Sequence, residues 1–389
     1  MKELDDLYRK AFGWDCIKMD AVHLALGCYL CPRWPGRPSP AWAAIIGPAS
    51  CGKSTIISMF DDVPFTVSVD HLTRNALTSC YKDEDDPNND FSLLHKLSYS
   101  RNPEGEKVWT IQELSSFLAV DPITLEKQLA DLRAAHVGKH TSHGGMSGTV
   151  TREVGSFGLI VGTTEAFELV RAQMNTFGDR FLAIRMATTS GSLSENMADA
   201  KTAWCADPAA SDKLKSHIKD QTHKIIERGI KSLESLTVSD LPRTPAQEQQ
   251  LMAWSVIHSV FSTMPISSNI LATAPPKPYR IVEQVKSWGN THAVMCGRKE
   301  WTHDEMRIAR RIFHDSMART NYDILRGLYP VGRVSAHDNM DIYRQWSVFG
   351  AVENTGGGPV QFGDSRGVRL TKPYHDLISK SLYFERENL

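Results

Sequence analysis

The chain has 389 residues, 41% apolar and 23% charged, an ordinary globular mix with room for two or three domains. Lys and Arg total 44 against 45 Asp and Glu; the net charge of −1 excludes a uniformly basic nucleic-acid coat but not a local basic face. The longest apolar run, Ala21 to Cys31, contains His23 and is too short for a spanning helix, and the opening MKELDDLYRK lacks the apolar core of a signal peptide, so a cytoplasmic protein is expected.

Residues 1–40 read as one or two helices. Val22, Leu24, Ala25, Cys28 and Tyr29 recur at helical spacing, and the proline-rich stretch Cys31 to Pro38 ends the pattern. Ala41 to Ile46 is a continuous apolar run suited to a strand buried on both faces of a parallel sheet. A glycine-bearing loop follows, then an apolar helix from Ser54 to Phe60. Phe65 to Val69 and Lys107 to Ile111 are further strands, separated by the polar loop Lys82 to Asp90. Ile123 to Val137 is a helix with Leu125, Leu129, Leu132 and His136 on one face and Asp121 or Thr124 as cap. Gly138 to Gly155 reads as a β-hairpin, and Phe157 to Val161 and Phe181 to Ile184 as strands. Beyond Thr188 helical patterns dominate, broken at Ala274 to Pro278. A glycine turn at Thr355 to Gly358 and a strand at Val368 to Thr371 close the chain.

Seven cysteines, an odd number, argue against a disulfide framework. Cys28 and Cys31 form a lone C-x-x-C, better read as two packed thiols than as a zinc site. His136, His140 and His143 cross a helix end with no evident fourth ligand.

Gly47-Pro48-Ala49-Ser50-Cys51-Gly52-Lys53-Ser54 fits G-x-x-x-x-G-K-[ST] without mismatch, between a buried-strand run and an apolar helix. The glycines let the backbone curl so that its N–H groups face inward. Lys53 supplies a point charge for the β- and γ-phosphates, the Ser54 hydroxyl can ligate Mg²⁺, and Thr55 completes the binding segment. The guanine-reading N-K-x-D is absent, so ATP with Mg²⁺ is the expected ligand.

Hydrolysis also needs an acid, expected at the end of a strand beside the loop strand. Glu113 ends the run Lys107 to Ile111, with Gln112 where a second acid often stands; Asp70 is the rival, and a solvated carboxylate at a helix start is the plain alternative. The Thr163-Thr164 pair ends another strand, where a hydroxyl can orient water or simply close a turn. Arg180 precedes an apolar run, where it can reach a neighbouring subunit's phosphate or pair with Asp179 or Glu165.

The order of these motifs, with Asp70-His71-Leu72-Thr73 and Phe177-Gly178-Asp179-Arg180-Phe181 among them, resembles AAA+ ATPases of phages and mobile elements, relatives of the MCM-type replicative helicases. The resemblance covers roughly residues 20–330. It implies an α/β P-loop AAA+ three-layer sandwich with a parallel sheet, a helical lid and a C-terminal winged-helix-like domain. The division implied is a helical segment at 1–40, the ATPase core at 41–190, lid and linker at 191–318 and the winged-helix-like part at 319–389. It further implies Glu113 as the Mg-side acid, Thr164 as sensor, Arg180 as an arginine finger, Arg280 as second sensor, and a 138–153 hairpin presenting Lys139, His140, His143 and Arg152 to nucleic acid in the pore of a ring, a hexamer.

Lys277 to Arg333 carries eleven Lys/Arg against six Asp/Glu. Arg307, Arg310 and Arg311 share a helical side that suits phosphate tracking or a solvated surface. Asn339, Arg344 and Gln345 are candidates for a DNA-reading helix. The leading expectation is a ring-forming, ATP-driven DNA helicase or translocase of a phage or mobile element. The alternatives are an ATP-dependent switch (initiator, loader or defence regulator) and a monomeric phosphotransferase.

Overall fold

A computed structural model describes residues 1–14, 16–34, 40–69, 77–78, 92–96, 108–118, 120–144, 148–153, 157–169, 180–186, 208–238, 240–263, 265, 271–331, 339–361 and 367–384. Asp70 and Asp179, the polar loop Lys82 to Asp90 and the whole 187–207 stretch lie outside the described residues.

The chain enters through helices α1 (Lys2–Phe12) and α2 (Cys16–Leu30) and reaches strand β1 (Trp42–Ile46). Helix α3 (Lys53–Ile57) follows, continued by a 3₁₀ turn at Ser58–Phe60, so the expected helix is present but its second half is tightened. Then come β2 (Thr66–Ser68), α4 (Leu93–Lys96), β3 (Val108–Ile111), α5 (Ser115–Leu118) and α6 (Pro122–His136). The expected hairpin is formed by β4 (Lys139–Gly144) and β5 (Gly148–Glu153), with His140 opposite Arg152 and His143 opposite Thr149. Strand β6 (Gly158–Thr163), helix α7 (Ala166–Leu169) and β7 (Phe181–Arg185) complete the first half.

Five strands make one parallel sheet in the order β2-β3-β6-β1-β7. Alternation along each strand sorts side chains to two faces. Trp42, Ala44, Ile46, Trp109, Leu159 and Val161 face one apolar cluster with Leu125, Leu129 and Leu132 of α6. Ala43, Ile45, Ile160, Leu182 and Ile184 face the other, with Val22, Ala25 and Leu26 of α2. The fold is thus mixed α/β, a parallel sheet flanked by helices on both faces. Asp121 is the cap of α6, its carboxylate accepting from the Thr124 N–H at 3.0 Å.

The second half is helical: α8 (Pro208–Glu234), α9 (Pro245–Phe261), α10 (Tyr279–Met295), α11 (His303–Asp315) and α12 (Arg319–Val331). Helix α13 (Met340–Val348), a two-stranded ribbon of β8 (Val352–Asn354) and β9 (Val368–Leu370), and α14 (Lys372–Lys380) end it. Thr302 and Thr244 open α11 and α9 with reciprocal capping boxes. Among the described residues no helix is long and apolar enough to cross a membrane.

Among the described residues, edge strand β7 is closed by side chains rather than by another strand. The N–H of Ala183 donates to Ser316 Oγ at 2.8 Å, the N–H of Arg185 donates to Asp315 Oδ2 at 2.9 Å, and Arg311 donates to the Arg185 carbonyl at 2.7 Å. The row of edge groups that invites pairing with another chain is thereby occupied. Arg307 and Arg311 also both grip the buried carboxylate of Asp20 on α2, at 2.6–2.9 Å, and Arg310 donates to the Leu382 carbonyl. The side expected to track phosphate is therefore spent on internal contacts. Helices α2 and α10 meet closely at Gly27, where a Cβ would stand 2.5 Å from the Trp288 ring.

Candidate functional site

Strand β1 delivers the loop 47–52 at the carboxyl end of the sheet, where parallel α/β sheets bind ligands. The Gly47 N–H donates to the Thr163 carbonyl at 3.1 Å, which pins the loop to β6. Ser50 and Gly52 adopt φ of +62° and +103°, and these left-handed turns curl the backbone. Pro48, Ala49, Ser50 and Ser54 are exposed, while Cys51, Gly52 and Thr55 are half-buried. Lys53 is buried, its ammonium donating to the carbonyls of Gly47 at 2.8 Å and Pro48 at 2.7 Å. The lysine is thus held inside the curl by two backbone carbonyls.

Beside the loop lies a cavity of about 540 Å³, the size class of small-molecule sites. Ser54, Thr55 and Gln112 line it, with Phe12 at the end of α1 and Lys215 and Lys219 of α8. Trp14 closes the loop from the other side: a Cβ on Gly52 would stand 2.4 Å from its ring. Trp14 stacks on Tyr8, with centroids 4.9 Å apart, and Tyr8 donates to Met59 Sδ at 3.1 Å. The position before α2 gives no hint in sequence that an aromatic ring would reach the loop.

Glu113 and Thr164, which sequence placed on separate strands, are brought together. The Ser115 N–H donates to Glu113 Oε1 at 3.1 Å, the Ser115 hydroxyl donates to the same oxygen, and Ser115 Oγ lies 3.3 Å from Thr164 Oγ1. Strand β6 lies between β1 and β3, so the acid's strand is not next to the loop strand as expected. With strands about 4.8 Å apart, the intervening strand sets the end of β3 roughly 10 Å from the loop strand.

The two other arginines stand elsewhere. Arg180 precedes the first residue of β7, at the amino end of the sheet, roughly 15 Å of strand from the loop, and is 6% exposed. Its carbonyl accepts from Gln284 at 3.1 Å. Arg280 opens α10 and is exposed. Both sit near His136, whose pKa is pushed down to about 3 by burial first and then by these two cations. The arginine at the loop end of β7 is Arg185, opposite Ile46. It donates to Glu165 at 2.9 Å, to Glu168 and to the Met317 carbonyl. Strand polarity is the signal that distinguishes it from Arg180, because only the carboxyl end of a parallel strand faces the loop.

Of the residues expected to meet nucleic acid, Lys139 is exposed at the base of the hairpin. His140 is not available: it is buried, with Nε2 at 3.0 Å from Asp131 Oδ1, and ties the hairpin to α6. For His143 and Arg152 the backbone alone is described. Gln345 is fully buried, bonding both backbone groups of Ala272 at 2.7 and 2.9 Å, and Arg344 pairs with Asp341 on its own helix. Cys28 and Cys31 are buried free thiols. In comparisons with known proteins, no family model matches the chain, and no curated protein matches it.

Proposed function

We propose that the protein binds Mg·ATP on the 47–54 loop and hydrolyses it. The observation that carries this reading is the combination of an accessible loop holding its lysine with a hydrogen-bonded Glu113–Ser115–Thr164 group at the ends of neighbouring strands. The residues suit the ligand: Lys53 supplies positive charge, Ser54 an exposed hydroxyl of the kind Mg²⁺ takes, and the curled backbone its N–H groups. Bound Mg·ATP would supply the phosphoryl group and neutralise its charge. Glu113, oriented by Ser115, would accept the proton of attacking water, and Thr164 would hold that water in line.

The AAA+ resemblance extends the reading to a ring of copies acting on DNA as a helicase or translocase. Arg180 and Arg280 suit it by lying near each other at the end of the sheet away from their own loop, the side from which a second copy's triphosphate would have to be reached. Arg180 would have to emerge from its buried position when copies meet. The 139–153 hairpin with exposed Lys139, and the ribbon β8–β9 among α12, α13 and α14, are the features that suit a pore loop and a winged-helix-like end. A second reading, an ATP-driven switch that does not unwind, is favoured by Gln112 in place of a second acid and by the internal use of Arg307, Arg311 and Gln345.

The test measures ATP turnover, molar mass with a slowly hydrolysed ATP analogue, and displacement of an annealed strand, with and without single-stranded DNA. Lys53→Ala is expected to abolish turnover. DNA-stimulated turnover with displacement and a ring-sized mass supports the motor; turnover without displacement supports the switch. A wild-type chain that neither binds nor hydrolyses ATP overturns both.

A further inference from the structure

The cavity beside the loop has two walls from distant parts of the chain. Ser54, Thr55 and Gln112 line one side, and α8 brings Lys215 and Lys219 to the other. Among the described residues these two lysines are the only cations that line it.

The two are not equivalent. Lys219 Nζ donates to Asp62 Oδ2 at 2.5 Å. Lys219 first, and His223 one turn further along α8 last, hold the Asp62 carboxyl below its usual range. The stretch of α8 from Lys219 to His223 therefore lies beside Asp62, past the 3₁₀ turn that continues α3. Asp61, the acid in the cavity wall, belongs to that same end, where its Oδ1 accepts from Ser68 Oγ at 3.2 Å. Lys215 stands about 6 Å the other way along the helix, which turns it toward the end where α3 begins and Ser54 lies. Its partner there is Asp212, 3.3 Å away on the same helix, and both side chains are largely exposed. Such a pair contributes little and is readily exchanged for a stronger anion.

Ser54 and Gln112 mark where the end of a loop-bound triphosphate belongs. The hydroxyl serves the metal between the last two phosphates, and Gln112 directly follows β3, the strand that leads to Glu113. Mg²⁺ and Lys53 together do not balance a triphosphate's charge. Arg280, the further cation expected from sequence, stands near His136 at the other end of the sheet.

We propose that Lys215 binds the terminal phosphate of ATP, so that α8 makes the site distinguish ATP from ADP. This rests on the reading of residues 47–54 as an ATP site. An ammonium on a flexible four-carbon stem can leave Asp212 for a phosphate without moving the helix far. ADP ends at the phosphate that Lys53 already serves, so it gains less from Lys215. Lys219, tied to Asp62, is the fixed point about which the start of α8 is drawn toward the loop.

The test treats the full wild-type chain with a limiting acetylating reagent, alone, with Mg²⁺ and a slowly hydrolysed ATP analogue, or with Mg²⁺ and ADP. Mass spectrometry then gives the acetylation of each lysine. The analogue should protect Lys215 by about tenfold and ADP by about twofold or less, while Lys213, exposed on the same turn, stays unchanged. In calorimetric titrations Lys215→Ala should weaken the analogue by about tenfold or more and ADP by about twofold or less. Lys215→Arg keeps the charge and should restore most of that affinity, and Lys213→Ala should bind both ligands as wild type does. Equal protection of Lys215 by the two nucleotides, or no protection while the analogue binds, overturns the proposal and leaves the ATP reading standing. So does equal loss of both ligands, or of neither, in Lys215→Ala. A wild-type chain that binds neither nucleotide overturns both. Protection is measured on wild type, so a variant that fails to fold cannot hide a failure.

Discussion

Lys53 points back into its own loop, where the Gly47 and Pro48 carbonyls accept from its ammonium. Such self-bonding lowers the cost of holding a cation ready in a nearly buried position. Glu113 is prepared in a comparable way, since Ser115 fixes one carboxylate oxygen from both its backbone and its side chain. Glu113→Gln should retain nucleotide binding and lose about a hundredfold or more in kcat, measured by steady-state turnover alongside a binding titration. Ser115→Ala removes one of two donors, so kcat should fall by only about tenfold or less with nucleotide affinity unchanged. The residues that sequence could name were those in a motif. Trp14, Ser115 and Arg185 belong to no motif, and they reach the site because strand polarity and helix packing carry them there.

At the scale of elements, the strands and the long helices were legible because their periodicity is local. The buried runs at β1, β6 and β7, the face of α6 and the hairpin all sit where patterning puts them. Lateral order is set by contacts distant in sequence, so the insertion of β6 between loop strand and acid strand was not readable. The same limit explains Gln345, a polar side chain that suits a surface and is buried because Ala272, 73 residues away, answers its hydrogen bonds; His140 is buried through the nearer Asp131, across the turn from α6 into the hairpin. Helix α6 also carries a pH dependence. His136 titrates at about 3 in the folded chain against an ordinary 6.5, because burial and the nearby Arg180 and Arg280 disfavour its cation. The unfolded chain therefore takes up the proton first. This contribution to stability is fully present above about pH 6.5 and is lost as pH falls toward 3, at about 1.4 kcal/mol per pH unit. Denaturant unfolding at stepped pH should show that slope, and His136→Gln should flatten it.

Across the whole molecule, one apolar cluster runs from Leu4 of α1 through the sheet to Tyr383 near the end of the described chain. Asp20 is its main electrostatic tie. It is almost fully buried, and Arg307 and Arg311 hold its carboxyl below the usual range despite the desolvation that opposes them. Removing the carboxylate takes the buried anion from between two part-buried guanidiniums, although Arg311 keeps its bonds to Asp315 and the Arg185 carbonyl. Asp20→Ala is expected to cost about 3–5 kcal/mol in urea unfolding, far more than an exposed pair such as Arg319–Asp323 would. Because Arg311 also closes β7, the same substitution should loosen the edge of the sheet along with the α2–α11 contact.

The ring of Trp14 resting on Gly52 turns the loop's shape into something optically readable. An indole packed against a backbone that must shift when a polyanion settles in it changes its surroundings at that moment, and its emission changes with them. The difference spectrum between wild type and Trp14→Phe isolates that signal from the other tryptophans, giving a label-free clock for ligand arrival and departure built into the native chain.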